Sequence, residues 1–207
     1  MRKASGSNLT RRRYDRLAFL YDYIEKPMEW LRFASWRARL TDRIVGAQAL
    51  EVGVGTGKNL PYHPQDTKII AIDISFPMLK RAQKKTASLN REVCLVLMDV
   101  ENLGFPDNSF DSIFASFVFC SVPDPVQGLR ELRRVCKPGG RLLLLEHMRP
   151  ANPFLGLLFD LLNPLVVRMI GANINRRTIE NIVRAGWRVN AEVHLSSDIV
   201  RWIEADG

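Results

Sequence analysis

Leu50-Glu51-Val52-Gly53-Val54-Gly55-Thr56-Gly57-Lys58-Asn59 joins an apolar run to three glycines at alternate positions. Such a run reads as a buried strand turning into a helix, with glycines where the backbone approaches a ligand or takes positive φ. Spacing excludes two ligand classes. A dinucleotide fingerprint starting at Gly53 needs glycine at position 58, where Lys58 stands. A P-loop ending in Gly57-Lys58 needs glycine at position 52 and Ser or Thr at position 59, where the chain has Val52 and Asn59. Glu51 serves a pyrophosphate poorly and a ligand carrying an ammonium or sulfonium well.

From this loop onward, apolar runs alternate with helical patterns, which predicts an α/β fold. Strands are expected at Ala49–Gly53, Lys68–Asp73, Val93–Asp99, Phe110–Phe117, Arg141–His147, Trp187–Val193 and near Ile199–Ile203. Helices are expected at Pro77–Leu89, Val126–Val135 and Thr178–Ala185. The architecture predicted is a Rossmann-like, seven-stranded, mostly parallel sheet with helices on both faces, plus N-terminal amphipathic helices. Lys137-Pro138-Gly139-Gly140 reads as the turn from a helix into the fifth strand. Two segments stand apart: residues 1–45, whose Leu17, Leu20, Tyr21, Ile24 and Met28 follow helical spacing, and the apolar stretch Asn152–Asn175. The domain expectation is a helical lid or membrane-binding segment over 1–45 and a core over 46–207, with 152–177 as an apolar substrate-side insertion.

The 207 residues are 46% hydrophobic and 25% charged, a globular composition. Three cysteines without a CxxC pair exclude a disulfide scaffold and a structural zinc site, and no metal is expected. No apolar signal region opens the chain, and Asp160, Asn163 and Arg168 interrupt its most apolar stretch, so no spanning helix is expected. Residues 1–43 hold eleven basic and five acidic residues, most of the net charge of +8. That asymmetry invites an anionic partner. Arg11, Arg12 and Arg13 followed by Trp30, Phe33 and Trp36 describe an interfacial anchor for an anionic membrane.

The ExGxGxG pattern at Glu51–Gly57 resembles motif I of the class I S-adenosylmethionine-dependent methyltransferases. Asp73, about 20 residues past the loop, matches the carboxylate that holds ribose hydroxyls in that family. Asp99-Val100-Glu101 matches the strand end that holds adenine, Ser116 begins the acceptor side, and Lys137-Pro-Gly-Gly-Arg141 is a further family hallmark. The resemblance covers residues 47–150. It implies S-adenosyl-L-methionine as cofactor, S-adenosyl-L-homocysteine as product, and cofactor contacts from Tyr14, Glu51, Gly53, Gly55, Gly57, Asn59, Asp73, Ile74, Met78, Asp99, Val100 and Ser116.

The acceptor is read from departures and additions. Methyltransferases of nucleobase amines carry Asn/Asp-Pro-Pro-Tyr after the fourth strand, whereas this chain has Cys120-Ser121-Val122-Pro123, so no nucleic-acid partner is expected. Tyr14-Asp15 through Tyr21-Asp22 resembles the YD-x-x-A-x-x-YD start of the ubiquinone/menaquinone methyltransferase branch. The stretch Leu165–Arg177 and the chain length are closest to the peripheral bacterial phosphatidylethanolamine N-methyltransferases. That resemblance implies stepwise methylation of a phospholipid headgroup to phosphatidylcholine by a monomer at the inner face of the cell membrane. The alternatives are a quinone-precursor C-methyltransferase and a non-catalytic, cofactor-binding membrane sensor. Tyr21 and His147 are the expected proton hosts, and Arg168, Arg176 and Arg177 the expected phosphate clamp.

Overall fold

The computed structural model of the chain describes residues 6–16, 33–90, 92–196 and 198–207. Helix α1 occupies residues 6–16. It is followed by α2 (Ala34–Thr41), β1 (Gln48–Val52), β2 (Lys68–Asp73), α3 (Phe76–Leu89), β3 (Cys94–Leu97), β4 (Phe110–Ser116) and α4 (Pro125–Val135). Then come β5 (Cys136–His147), α5 (Pro153–Ile170), α6 (Thr178–Arg184), β6 (Arg188–Ser196) and β7 (Val200–Asp206). The expected amphipathic run from Leu17 to Met28, with Tyr21 and Trp30, lies outside the described residues.

The strands form one sheet in the order β3-β2-β1-β4-β5-β7-β6. The first five are parallel, while β7 runs antiparallel to both β5 and β6. Chain order reverses between β1 and β4, which opens a crevice beyond their carboxyl ends. Strand alternation sorts the core into two layers. Ile113, Ala115, Leu142 and Leu144 face α4 and α6 through Leu129, Leu132 and Ile182. Phe114, Leu143 and Leu145 face the other way, onto Phe33, Trp36 and Leu40 at α2, and Ala71 on that side meets Leu79 and Ala82 of α3.

Phe33 and Trp36 therefore correct the sequence expectation. At 6% and 8% exposure they are core residues of the sheet's α2 face and offer nothing to a membrane. Two boundaries also move. β5 starts at Cys136, paired with Phe110, and pairing resumes at Arg141 with Ser112, so Lys137–Gly140 bulges out of the strand. The Asn152–Asn175 stretch is helical over most of its length, as α5, capped by the Asn152 side chain on the amides of Phe154 and Leu155.

Candidate functional site

The crevice at the switch point is a pocket open to solvent. Its floor is the glycine loop after β1. Gly53 has φ +64, and a Cβ there would collide with the Val118 side chain, so glycine lets this strand end approach the loop after β4 so closely. The Gly55 amide donates to Asp73 Oδ2 at 2.8 Å and the Ser75 amide to Asp73 Oδ1 at 2.8 Å. These bonds pin the carboxylate to the pocket wall at the end of β2. Burial pushes Asp73 up to about 6, against the two amides, which lower it; Glu51 and Asp15 add like charge. Asp99 follows β3, where its Oδ1 accepts the Glu101 amide at 3.0 Å. Ile74, Met78 and Val100 supply apolar walls between the two carboxylates.

Glu51 and Asn59 sit differently from the expectation. Neither they nor Gly57 are part of the pocket lining. Glu51 is fully buried behind the floor, where it accepts from Asn59 Nδ2 at 2.8 Å and has His63 Nε2 2.9 Å from its second oxygen. Asn59 Oδ1 in turn accepts from the Arg37 guanidinium at 3.0 Å, and its amide reaches the Ser116 hydroxyl at 3.2 Å. Only Ser116 of this group touches the pocket. The net fixes the start of the glycine loop to the end of β4, since a buried carboxylate must be paired.

Helix α1 lies across the strand ends. The Ser7 hydroxyl donates to Glu101, Thr10 to the Ser121 carbonyl, and Asp15 accepts from the Ser75 hydroxyl at 2.6 Å. The Tyr14 hydroxyl is 2.5 Å from the Ser121 hydroxyl, and both residues line the pocket. Arg11 and Arg12 are exposed on this helix and Arg13 is half-buried.

The acceptor side is the loop after β4. Phe117 takes φ +59, a conformation a bulky side chain adopts only when its surroundings force it. Its ring packs on Phe33 at 4.9 Å, stacks on His147 at 4.5 Å and lies 5.4 Å from the Arg37 guanidinium carbon. His147 is thus separated from the pocket by Phe117, and burial holds its imidazole down to about 4, neutral at pH 7. This corrects its assignment as a proton host beside the cofactor. On the opposite face of β5, buried Glu146 accepts the amides of Val118 and Phe119 at 2.8 and 2.9 Å. Burial pushes it up to about 7, opposed by these amides, that of Cys120, and Arg176.

Of the expected phosphate clamp, Arg176 and Arg177 line a separate pocket with Arg149 and Arg201, which shares no lining residue with the crevice, and Arg168 is not part of it. Arg176 is half-buried and donates to the carbonyls of Cys120 and Val122 at 3.5 and 2.6 Å, holding the acceptor loop rather than pointing into the crevice. Arg177 is exposed and pairs with Glu180 at 3.2 Å, and Arg168 is exposed on the last turn of α5. Sequence reasoning missed Arg37, His63, Phe117 and Glu146. Glu146 alone carried a signal, as an acid closing the run Leu142–Leu145.

This site fits a cofactor with a diol and an exocyclic amine: two carboxylates at neighbouring strand ends accept from them, and apolar side chains between flank a planar ring. Among the described residues no group of His, Cys, Asp and Glu could hold a metal ion. Residues 50–144 match the methyltransferase domain family. The chain is 39% identical over 104 residues to a phosphatidylethanolamine N-methyltransferase of Cereibacter sphaeroides, covering 49% of this chain and 51% of that protein. It is 33% identical to a demethylmenaquinone methyltransferase of Paenarthrobacter aurescens, covering 68% and 55%, so the match spans about half the length of both. A ubiquinone/menaquinone biosynthesis C-methyltransferase of Hahella chejuensis is 31% identical, covering 77% and 68%. Among solved structures, the [4+2]-cyclase SpnF superposes with TM-score 0.67 at 25% identity, covering 81% of this chain and 60% of that one. The geranyl diphosphate C-methyltransferase of Streptomyces coelicolor A3(2), in complex with S-adenosyl-L-homocysteine, gives 0.71 at 13%, covering 84% and 78%. With its glycine loop, paired strand-end carboxylates and sheet order, the chain belongs to the S-adenosylmethionine-dependent methyltransferases.

Proposed function

We propose that the protein methylates a membrane lipid, with the amine of phosphatidylethanolamine as its acceptor and stepwise conversion toward phosphatidylcholine as the outcome. The cofactor supplies an electrophilic methyl group on a sulfonium. Asp73 and Asp99 would hold its ribose and adenine ends, and the glycine loop its amino-acid end. The observation that carries the acceptor reading is the Tyr14–Ser121 hydroxyl pair. Set among Phe117, Val118, Val122 and Pro123, it offers an amine hydrogen-bond acceptors in an otherwise apolar wall. A headgroup ammonium must lose a proton before it attacks, and two linked hydroxyls pass that proton toward solvent without a strong base. Alignment of the reacting atoms then supplies much of the rate, up to about 7–11 kcal/mol in favourable intramolecular cases. The contacts of α1 with three strand-end loops support a lid role for this helix.

A second reading is methylation at carbon of a quinone precursor. It draws on the relatives named for that reaction, which match more of this chain than the phosphatidylethanolamine enzyme does. Radiolabelled S-adenosylmethionine offered with phosphatidylethanolamine vesicles and with a demethylated quinone precursor separates the two. Label in mono-, di- or trimethylated headgroups is the expected result, and label confined to the quinone ring overturns it. Tyr14→Phe is expected to lower headgroup turnover about tenfold or more while leaving S-adenosyl-L-homocysteine binding within about twofold, as loss of one transition-state hydrogen bond requires.

A further inference from the structure

Helix α5 is built inside out. Phe154, Leu157, Leu161, Leu165 and Met169 project into solvent, the least exposed of them at 58% and the most at 86%. Asp160 and Asn163 are half-buried and bond to neighbouring segments instead. Asp160 pairs with Arg149 at 2.9 Å and accepts from Asn175 Nδ2 at 3.0 Å, and the Arg149 guanidinium lies against Gly156, where a Cβ would push it aside. Asn163 donates to Asn173 Oδ1 at 3.2 Å and accepts the Ile174 amide at 2.9 Å. A helix on the surface of a soluble protein shows the reverse pattern, and so large an apolar patch marks an interaction face.

The charges around this patch select its occupant. The one acidic residue of α5, Asp160, is consumed by Arg149, while Arg168 stands exposed on the last turn. At the carboxyl end the Arg13 side chain of α1 packs over Gly171, its Cδ 2.9 Å from where a Cβ would stand, which adds a second guanidinium to this end of the patch. Two copies meeting through this face would bring guanidinium groups together. A bilayer carrying anionic headgroups accepts the apolar stripe and the cationic rim at once. Among the described residues no helix is long and apolar enough to cross a membrane, so α5 would lie in the interface plane.

We infer that the outward face of α5 is the bilayer-docking surface of this protein, with its leucines at the boundary between headgroups and acyl chains. The half-buried polar residues carry docking to the acceptor side. Asn163 holds Asn173 and Ile174, and Asn173 donates to the Cys120 carbonyl through its backbone amide at 2.8 Å and its side chain at 3.0 Å. Cys120 immediately precedes Ser121 on the pocket wall, so a lipid headgroup at the docked surface stands beside the loop that would receive it. The inference deepens the lipid-acceptor reading, yet docking is independent of which lipid is methylated.

The test uses the full chain and vesicles of phosphatidylcholine and phosphatidylglycerol in equal parts, free of phosphatidylethanolamine and quinone. The protein is expected to sediment with these vesicles, less with pure phosphatidylcholine, and to be released in part by salt. The triple variant L157E/L161E/L165E is expected to bind at least about tenfold more weakly, with S-adenosyl-L-homocysteine affinity and thermal unfolding unchanged. Equal vesicle binding by that variant overturns the proposal. A second measurement places a polarity-sensitive dye on L161C in a Cys94→Ser background. A blue shift on vesicles is expected, and an unshifted dye on a sedimenting protein overturns docking through α5. A dimer that the triple variant dissociates, without vesicle binding, also overturns it in favour of a second copy. Vesicle binding without methyl transfer to any lipid keeps docking and removes the acceptor reading. Methyl transfer to detergent-dispersed lipid without vesicle binding does the opposite.

Discussion

Asn173 grips the carbonyl of Cys120 twice, through its backbone amide at 2.8 Å and its side-chain amide at 3.0 Å. This double contact is one of several on the short loop that follows β4. Arg176 holds the carbonyl of Val122, Glu146 holds the amides of Val118 and Phe119, and α1 holds Ser121. The loop makes few backbone bonds of its own, so its shape is imposed by the side chains around it.

Asn173→Ala keeps the backbone bond and deletes two side-chain ones, the bond to the Cys120 carbonyl and the bond from Asn163. We expect a stability loss of about 1–3 kcal/mol, the net worth of two such bonds. Acceptor KM should rise severalfold while the affinity for S-adenosyl-L-homocysteine stays within about twofold, because Asp73 and the glycine loop are untouched. Titration calorimetry and steady-state kinetics read the two separately, and a matching loss of cofactor affinity would contradict a role confined to the acceptor loop.

Glu146 should impose a pH dependence on stability. Its carboxyl titrates near 4.5 when the chain is unfolded and is pushed up to about 7 by burial in the fold. The native state therefore binds the proton more tightly, so this group's contribution is complete below about 4.5 and is lost as pH rises through about 7. Glu146→Gln keeps an acceptor for the loop amides and removes the titration. The wild-type unfolding temperature should fall from pH 5 to pH 8 more steeply than that of the variant. Parallel curves for the two proteins would show that Glu146 does not carry the effect.

The parallel core and the cofactor loop are legible in the sequence because each strand is a short apolar run and each switch of period marks a helix. Strand-end carboxylates such as Asp73 and Asp99 follow from the same count. The outward and inward faces of the flanking helices are not legible in this way. Phe33 and Trp36 beside arginines read equally as an interfacial anchor or as a core helix with a cationic collar, and only the sheet beneath them decides. Along α5 the apolar residues are so numerous that the sequence conceals which side is buried, and the answer depends on where Arg149 and Asn173 come to lie. Phe117 carries its strain in a backbone angle, and nothing in its side chain announces it. His63 and Arg37 are single residues whose partner, Glu51, is reached only after folding.

Cofactor affinity should depend on the charge of Asp73. A carboxylate accepts from a ribose diol more strongly than a carboxylic acid does, and burial has pushed this group up to about 6. Binding of S-adenosyl-L-homocysteine should therefore weaken as pH falls through about 6, with one proton taken up on release of the ligand. Asp73→Asn should bind at least about tenfold more weakly at pH 8, in line with about 1.5–3 kcal/mol for a hydrogen bond to a charged group. It should also lose the pH slope. A slope that persists in the variant would assign the titration to another group.

Arg176 separates a phosphate clamp from a loop anchor. In the fold its guanidinium is spent on the carbonyls of Cys120 and Val122, and its charge also lowers the buried Glu146. Arg176→Ala frees the Val122 carbonyl, leaves the Cys120 carbonyl to Asn173, and removes the charge that lowers Glu146. We expect a loss of about 2–3 kcal/mol, read as a fall of about 4–12 °C in unfolding temperature for a chain of this size. Arg176→Lys should recover part of the stability but not the two-carbonyl grip, since an ammonium lacks the planar fork. An anchor predicts that turnover falls with any acceptor the enzyme accepts, charged or neutral. A clamp predicts unchanged stability and a rise in KM confined to acceptors bearing a phosphate, and kinetics on a phospholipid and on a quinone precursor would tell the two apart.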